Sequence, residues 1–220
     1  MTTRTARPAA SAAPARRARN EAERQARERA ILDAALAVFS DRGFAAARLE
    51  DVAARAGVAK GTIYLYFPSK QALFEALIRT GIAGPIEAAR TEMLDLDLPL
   101  EAVLRGLFTR LRTEILGTPR REIVRLVLTE AGRFPQIAAF YHREVVSRGM
   151  GLLRTIGARA LERGEIRSDA IIRFPQLVIA PGIVAFLWTS FFQRIEPLDA
   201  EAMFETHLAL LMRALKAPEP

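Results

Sequence analysis

The stretch LEDVAARAGVAKGTIYLYF, Leu49 to Phe67, limits the possible folds more than any other part of the chain. It reads as a helix, a tight turn and a second helix. In its first half, Leu49, Val52, Ala53 and Ala56 fall at i, i+3, i+4 and i+7, the spacing of one buried helical stripe. Gly57 follows at once, where a helix end favours a residue that tolerates a left-handed backbone. Val58 can then pack under the turn. The second half opens on Lys60, Gly61 and Thr62 and continues through Ile63, Tyr64, Tyr66 and Phe67. It is cationic, small and polar at its front and aromatic at its back. A helix that enters a DNA major groove needs such a front, because its N-terminal residues face base edges and small residues permit close approach. The aromatic end can anchor the helix, and tyrosine hydroxyls can reach phosphates.

The flanks are also helical. Ile31, Leu32, Ala35, Val38 and Phe39 form the core stripe of a helix that starts near Asn20 or Glu21 and runs to Ser40. Asp41-Arg42-Gly43 ends it, with Gly43 free to take a positive φ. Pro68-Ser69 breaks the chain after the second helix of the motif, and Ser69 is placed to cap a helix from Lys70 that carries Leu73, Phe74, Leu77 and Ile78. Gly81, Gly84 and Pro85 interrupt that helix, so a domain boundary is expected there.

In order and spacing, Ile31–Phe39, Asp41-Arg42-Gly43-Phe44, Asp51-Val52-Ala53, Ala56-Gly57-Val58, Gly61-Thr62-Ile63-Tyr64, Phe67 and Lys70 resemble the DNA-binding half of TetR/AcrR-type transcriptional regulators. The resemblance implies an all-helical homodimer that represses genes through this domain. It also implies release of DNA when a small ligand binds a larger C-terminal domain. Residue by residue, it gives Lys60, Gly61 and Thr62 the groove and base-edge contacts, and Tyr64, Tyr66 and Lys70 the phosphates. Two departures stand out. The family commonly has Ser or Thr where this chain has Ala59, so the recognition helix lacks a side-chain cap. It also favours Thr at the positions of Ala47 and Arg48. Arg48 opposes a helix N-terminal dipole in the free protein but suits a phosphate, so it is expected to replace the missing hydroxyl with a charged contact.

Charge follows the same division. The net charge of +7 is concentrated in residues 1–80, with fourteen Lys and Arg against eight Asp and Glu; residues 81–220 carry eighteen against seventeen. An electrostatic footprint for phosphate requires that placement. Residues 1–20 read as a disordered basic tail, too poor in bulky apolar residues to order itself. Its Arg4, Arg7, Arg16, Arg17 and Arg19 either add DNA affinity or are simply solvated. Residues 21–82 read as the DNA-binding domain, with the helix-turn-helix at about 48–67, and 83–220 as the ligand-binding and dimerisation domain.

From Ile86 onward every segment has helical period and no strand alternation, giving an all-α chain of about nine helices. The expected helices run from Leu98 to Gly117, Arg120 to Gly132, Phe134 to about Arg163, Ser168 or Asp169 to about Arg194, and Asp199 to Lys216. Phe174 to Gln193 carries no charge, a length that raises a membrane-spanning reading. Its prolines, its glycine and the lack of other apolar spans favour a helix buried on both sides instead. The resemblance implies that the last two helices form a four-helix dimer seam, with Val178, Val184, Leu187, Leu208, Leu211 and Leu215 as candidates for seam or core. Ligand-pocket candidates are Leu104, Phe108, Phe134, Phe140, Tyr141, Met150, Phe186 and Trp188, each of which also fits plain core.

Catalytic chemistry has little footing. There is no cysteine, and His142 and His207 are the only histidines. No phosphate-cradling loop, dinucleotide fingerprint or nucleophile elbow is present, and no metal or cofactor is implied. No charged-then-apolar leader opens the chain, so a cytoplasmic location is expected. The leading expectation is a regulator whose partners are double-stranded operator DNA, a second copy of itself and a small ligand, with no membrane. A DNA-binding protein without ligand control and an enzyme using the C-terminal pocket are the alternatives.

Overall fold

The computed structural model describes residues 12–95 and 97–216. Among them it is helical throughout, with no strand. Twelve α-helical segments follow in order: α1 (Ala12–Ala46), α2 (Leu49–Ala56), α3 (Lys60–Tyr66), α4 (Lys70–Ile78), α5 (Gly84–Asp95), α6 (Leu100–Arg110), α7 (Arg120–Glu130), α8 (Pro135–Tyr141), α9 (Ser147–Glu162), α10 (Ala170–Arg173), α11 (Gln176–Phe191) and α12 (Ala200–Lys216). Wider π-helical turns at Arg79–Ala83 and His142–Val146 join α4 to α5 and α8 to α9, and a third at Leu111–Leu116 extends α6. The continuous helical bodies therefore number about ten. They divide into two compact units, Met1–Phe74 and Glu75–Pro220, and the division falls inside α4.

In the first unit the expected stripes face inward. Ile31, Ala35, Phe39, Val52, Ile63, Leu73 and Phe74 are completely buried. Phe39, Phe44 and Phe74 form a triangle of ring contacts with centroids 5.2–5.7 Å apart. Two of the three contacts are edge-on, the arrangement that aromatic quadrupoles favour. Gly43, at φ 72 and ψ 167, breaks α1 just before Phe44 turns into this cluster.

The structure alters the expected boundaries in three places. Residues 12–20 are helical, not a disordered tail; residues 1–11, with Arg4 and Arg7, lie outside the described residues. Ala, Arg, Glu and Gln are strong helix formers, and Arg19–Glu23 and Arg24–Glu21 pairs support the helix at 3.7 and 3.3 Å. Gly81, Gly84 and Pro85 do not interrupt the fourth helix. The π turn absorbs them, and the Gly84 N–H donates to the Arg79 carbonyl five residues back. Gly81 serves close packing there: a Cβ at this position would lie 2.4 Å from Ile123 Cδ1. Third, the expected helix from Ser168 to Arg194 is two helices. Phe174 precedes a proline and takes an extended backbone (φ −126, ψ 69), separating α10 from α11.

The second unit buries a large core cluster, which includes Leu104, Phe108, Leu153, Ile171, Phe186 and Phe204. Phe108 stacks on Phe204 at 5.2 Å. The sequence of α11 is apolar all round, but only one side is buried, through Val178, Pro181, Ala185 and Phe186. Leu177, Val184, Leu187 and Phe191 remain 41–58% exposed, at helical spacings that line them up on the other side. Val178, Leu208 and Leu215 are at most 1% exposed and belong to the core, the second of the two places the sequence left open for them. Leu211 is half-buried against the same core. No helix of the described residues is long and apolar enough to cross a membrane.

Candidate nucleic-acid interface

The turn between α2 and α3 closes as its sequence requires. Gly57 adopts φ 66 and ψ 30. Its N–H donates to the Ala54 carbonyl at 3.3 Å, and the Val58 N–H donates to the Ala53 carbonyl at 3.1 Å. This double bond pattern satisfies the end of α2 and fixes the direction of α3. Ile63 of α3 and Phe67 just after it are buried four residues apart, so Gly61 and Leu65 lie on the far side. Tyr64 beside them is exposed, and Lys60, on the buried stripe, is exposed because it stands at the first position of the helix. Thr62 and Tyr66 are half-buried at its flanks. A Cβ on Gly61 would meet nothing within 4 Å, so this glycine leaves an open notch that the packing of the unit does not need.

Arg48 is the N-cap residue of α2, with an extended backbone and no side-chain capping bond, and it is exposed. Glu50 and Asp51 fill the first turn of α2 and complement its dipole. Asp51 accepts from Arg42 at 2.7 Å, holding α2 to α1. Glu50 instead meets the Lys60 ammonium at 2.5 Å. That hydrogen bond is the largest influence holding the Glu50 carboxyl below its ordinary value, and it raises Lys60 in turn. Ala59 gives α3 no side-chain cap, as expected from its methyl.

Lys70 departs from its expected role as a point charge for phosphate. Its Nζ donates to the carbonyls of Phe44, Ala45 and Ala47 at 2.6, 2.8 and 2.9 Å and lies 4.8 Å from the Phe44 ring centroid. An ammonium has three donors, and these carbonyls take all of them. Lys70 therefore ties the first residue of α4 to the end of α1 and the link into α2. Ser69 caps α4 by accepting from the Ala72 N–H at 3.1 Å.

Sequence reasoning missed two residues of this face. Leu65, 85% exposed, is an apolar side chain on the polar side of α3, suited to a thymine methyl or a sugar edge. Its offset from the Ile63/Phe67 stripe was the available signal. Glu50 gave no periodic signal at all.

In the second unit the eight pocket candidates do not share one cavity. Leu104, Phe108 and Phe186 fill the core, and Met150 packs against it. Phe140 is buried between the Arg79 and Arg143 guanidiniums, 5.3 and 5.1 Å from its ring centroid. Tyr141 is half-buried, and its hydroxyl is pushed up to about 12 by desolvation. Phe134 is half-buried, and Trp188 donates its Nε1–H to the Glu196 carbonyl at 2.7 Å. An open cleft of ≈ 660 Å³ is lined instead by Glu87, Arg90, Arg148, Gly151, Leu152 and Thr155.

Comparison with known proteins agrees with this geometry. Residues 31–77 match the model for bacterial regulatory proteins of the tetR family, and residues 99–207 match that for the tetracyclin repressor-like C-terminal domain. The chain belongs to the TetR family of transcriptional regulators. The HTH-type transcriptional regulator RutR of Escherichia coli is 33% identical over 125 residues, covering 56% of this chain and 49% of RutR. The chain thus spans about half the length of the curated relatives it matches first. The HTH-type transcriptional repressor KstR of Mycolicibacterium smegmatis is 55% identical over 51 residues, covering 23% of this chain and 24% of KstR. Among solved structures, FadR of Bacillus subtilis in complex with stearoyl-CoA superposes with a TM-score of 0.66 at 21% identity, covering 83% of this chain and 96% of that one. FadR of Bacillus halodurans gives 0.68 at 24% identity, covering 84% and 94%. These two likenesses are of fold.

Proposed function

We propose that this TetR-family chain is a ligand-responsive repressor that binds a pseudo-palindromic operator as a homodimer in the cytoplasm. One observation carries the reading: Gly61, Tyr64 and Leu65 lie exposed along α3 and Lys60 projects exposed from its first turn, while Ile63 and Phe67 lock the helix into the unit. A short helix fixed in this way offers a cation, an open notch and apolar and phenolic surface to a major groove. Arg48, Thr62 and Tyr66 flank this face and supply phosphate contacts. Two copies related by a two-fold axis read two inverted half-sites about one helical turn apart.

The exposed apolar stripe of α11, with Leu210 of α12 also exposed, supports self-association. The effector is a small apolar or amphipathic molecule bound in the C-terminal unit. FadR of Bacillus subtilis, with its bound stearoyl-CoA, makes a long-chain acyl thioester the first effector to try. To release DNA, the effector must bind the released state more tightly than the bound one, by a coupling of about 1–3 kcal/mol.

Selection of bound duplexes from a random pool tests the proposal, with wild type beside a Lys60→Ala/Tyr64→Ala variant. Wild type is expected to enrich an inverted repeat, and the variant none. Enrichment of an asymmetric site occupied by one monomer, or no enrichment by wild type, overturns it.

A further inference from the structure

On a face that meets phosphate, Glu50 is out of place. It is 48% exposed, on the first turn of α2, and its carboxylate reaches across to α3 to contact Lys60. Stability does not explain the contact, because an exposed ion pair adds little to a fold. The neighbouring Asp51 already provides the structural bridge to α1 through Arg42. Lys60 stands at the first position of a helix with no side-chain cap and no acidic residue in its first turn. The positive end of the helix dipole repels its ammonium there, and a long lysine stem unheld would swing to whatever phosphate lies nearest. Glu50 is the acceptor that holds it, and the Arg48 charge adds a weaker pull on the same carboxylate.

We infer that Glu50 is a specificity-determining residue of the DNA-binding face, acting through Lys60. The inference rests on the proposed operator binding. In the cognate complex, Lys60 stays bridged to Glu50 and presents its remaining donors to a base edge. On unrelated DNA, Lys60 must leave the carboxylate to reach a phosphate, and Glu50 then faces the backbone without its Lys60 bridge. The pair lowers affinity for DNA in general and leaves the matched site largely unaffected.

The full chain tests this as wild type, Glu50→Gln, Glu50→Asp, and Glu50→Gln in a Lys60→Ala background. Affinities are measured against the selected operator and a scrambled duplex over a range of salt. Glu50→Gln is expected to tighten the scrambled duplex by roughly three- to tenfold and to steepen its salt slope by about 0.9, the value of one added phosphate contact. Operator affinity should change less, so the ratio of the two falls. Glu50→Asp keeps the charge and is expected to stay near wild type on scrambled DNA. In the Lys60→Ala background the added slope is expected to vanish. An unchanged ratio and slope in Glu50→Gln, or an equal change without Lys60, overturns the inference while leaving operator binding intact. A wild type that selects no sequence overturns both.

Discussion

The two units treat their aromatic residues in opposite ways. In the first, Phe39, Phe44 and Phe74 are at most 4% exposed and pack on one another, and the large apolar side chains left exposed among the described residues are Tyr64 and Leu65 of α3. In the second, Phe174, Phe191 and Phe192 are 47–58% exposed, and Ile195 is 81% exposed. Exposed apolar surface of this extent marks a face suited to meeting another molecule. The first unit closes its aromatic core within itself. The second leaves the apolar face of α11 in water.

The largest expected effects test that contrast. Phe74→Ala should cost about 3–5 kcal/mol of stability through the cavity it opens. Phe191→Ala should cost about 0.5 kcal/mol or less in dilute protein, where nothing covers it. At higher concentration Phe191→Ala should melt below wild type by a gap that grows with concentration, because the covered form is the one it weakens. Denaturation of both variants over a hundredfold range of protein checks this. Equal costs at every concentration would break the contrast.

Lys70 gives the next effect. With its three donors spent on the carbonyls of Phe44, Ala45 and Ala47, Lys70→Met should destabilise the first unit by about 2 kcal/mol. The operator affinity of the folded protein should stay close to wild type. The reverse result, an unchanged melt with weakened binding, would return Lys70 to the phosphate role that the sequence suggested.

Two glycines separate folding from function within one motif. Gly57→Ala forces a side chain to φ 66 and should cost about 1–2 kcal/mol. Gly61→Ala lies in a helix with open space around its Cβ and should gain up to about 1 kcal/mol. It should nevertheless weaken operator binding, because the methyl fills the notch facing the groove. A Gly61→Ala variant that binds like wild type would remove Gly61 from the interface.

The same residues explain what was legible from sequence. The α2–turn–α3 motif is set by nearest neighbours: an apolar stripe, one left-handed glycine and a second short stripe. Such local rules survive in any context, so the buried stripes and the glycine turn could be named in advance, while Leu65 on the outward side of α3 was passed over. Lys70 and Glu50 were not legible, because their partners lie on other elements and charged residues carry no periodic signal. Gly81 and Pro85 misled because a π turn can absorb them, which depends on Ile123 packing from α7. On α11 an apolar residue at nearly every position removes the direction of the stripe. Val178 and Leu187 look alike in sequence, yet one is core and the other surface.

The smallest effect concerns Arg48. It is exposed at the start of α2 and makes no capping bond, and Glu50 and Asp51 already complement the dipole there. Arg48→Ala should therefore change stability by about 0.5 kcal/mol or less. If its guanidinium replaces a hydroxyl contact to phosphate, the salt slope of operator binding should fall by about 0.9, with affinity lowered alike on matched and unmatched duplexes. That pattern is the opposite of the one expected for Glu50→Gln, which changes the ratio between duplexes. Measured side by side, the two variants separate a residue that holds DNA from one that chooses it. An Arg48→Ala variant with unchanged slope would leave the departure at this position without a role in binding.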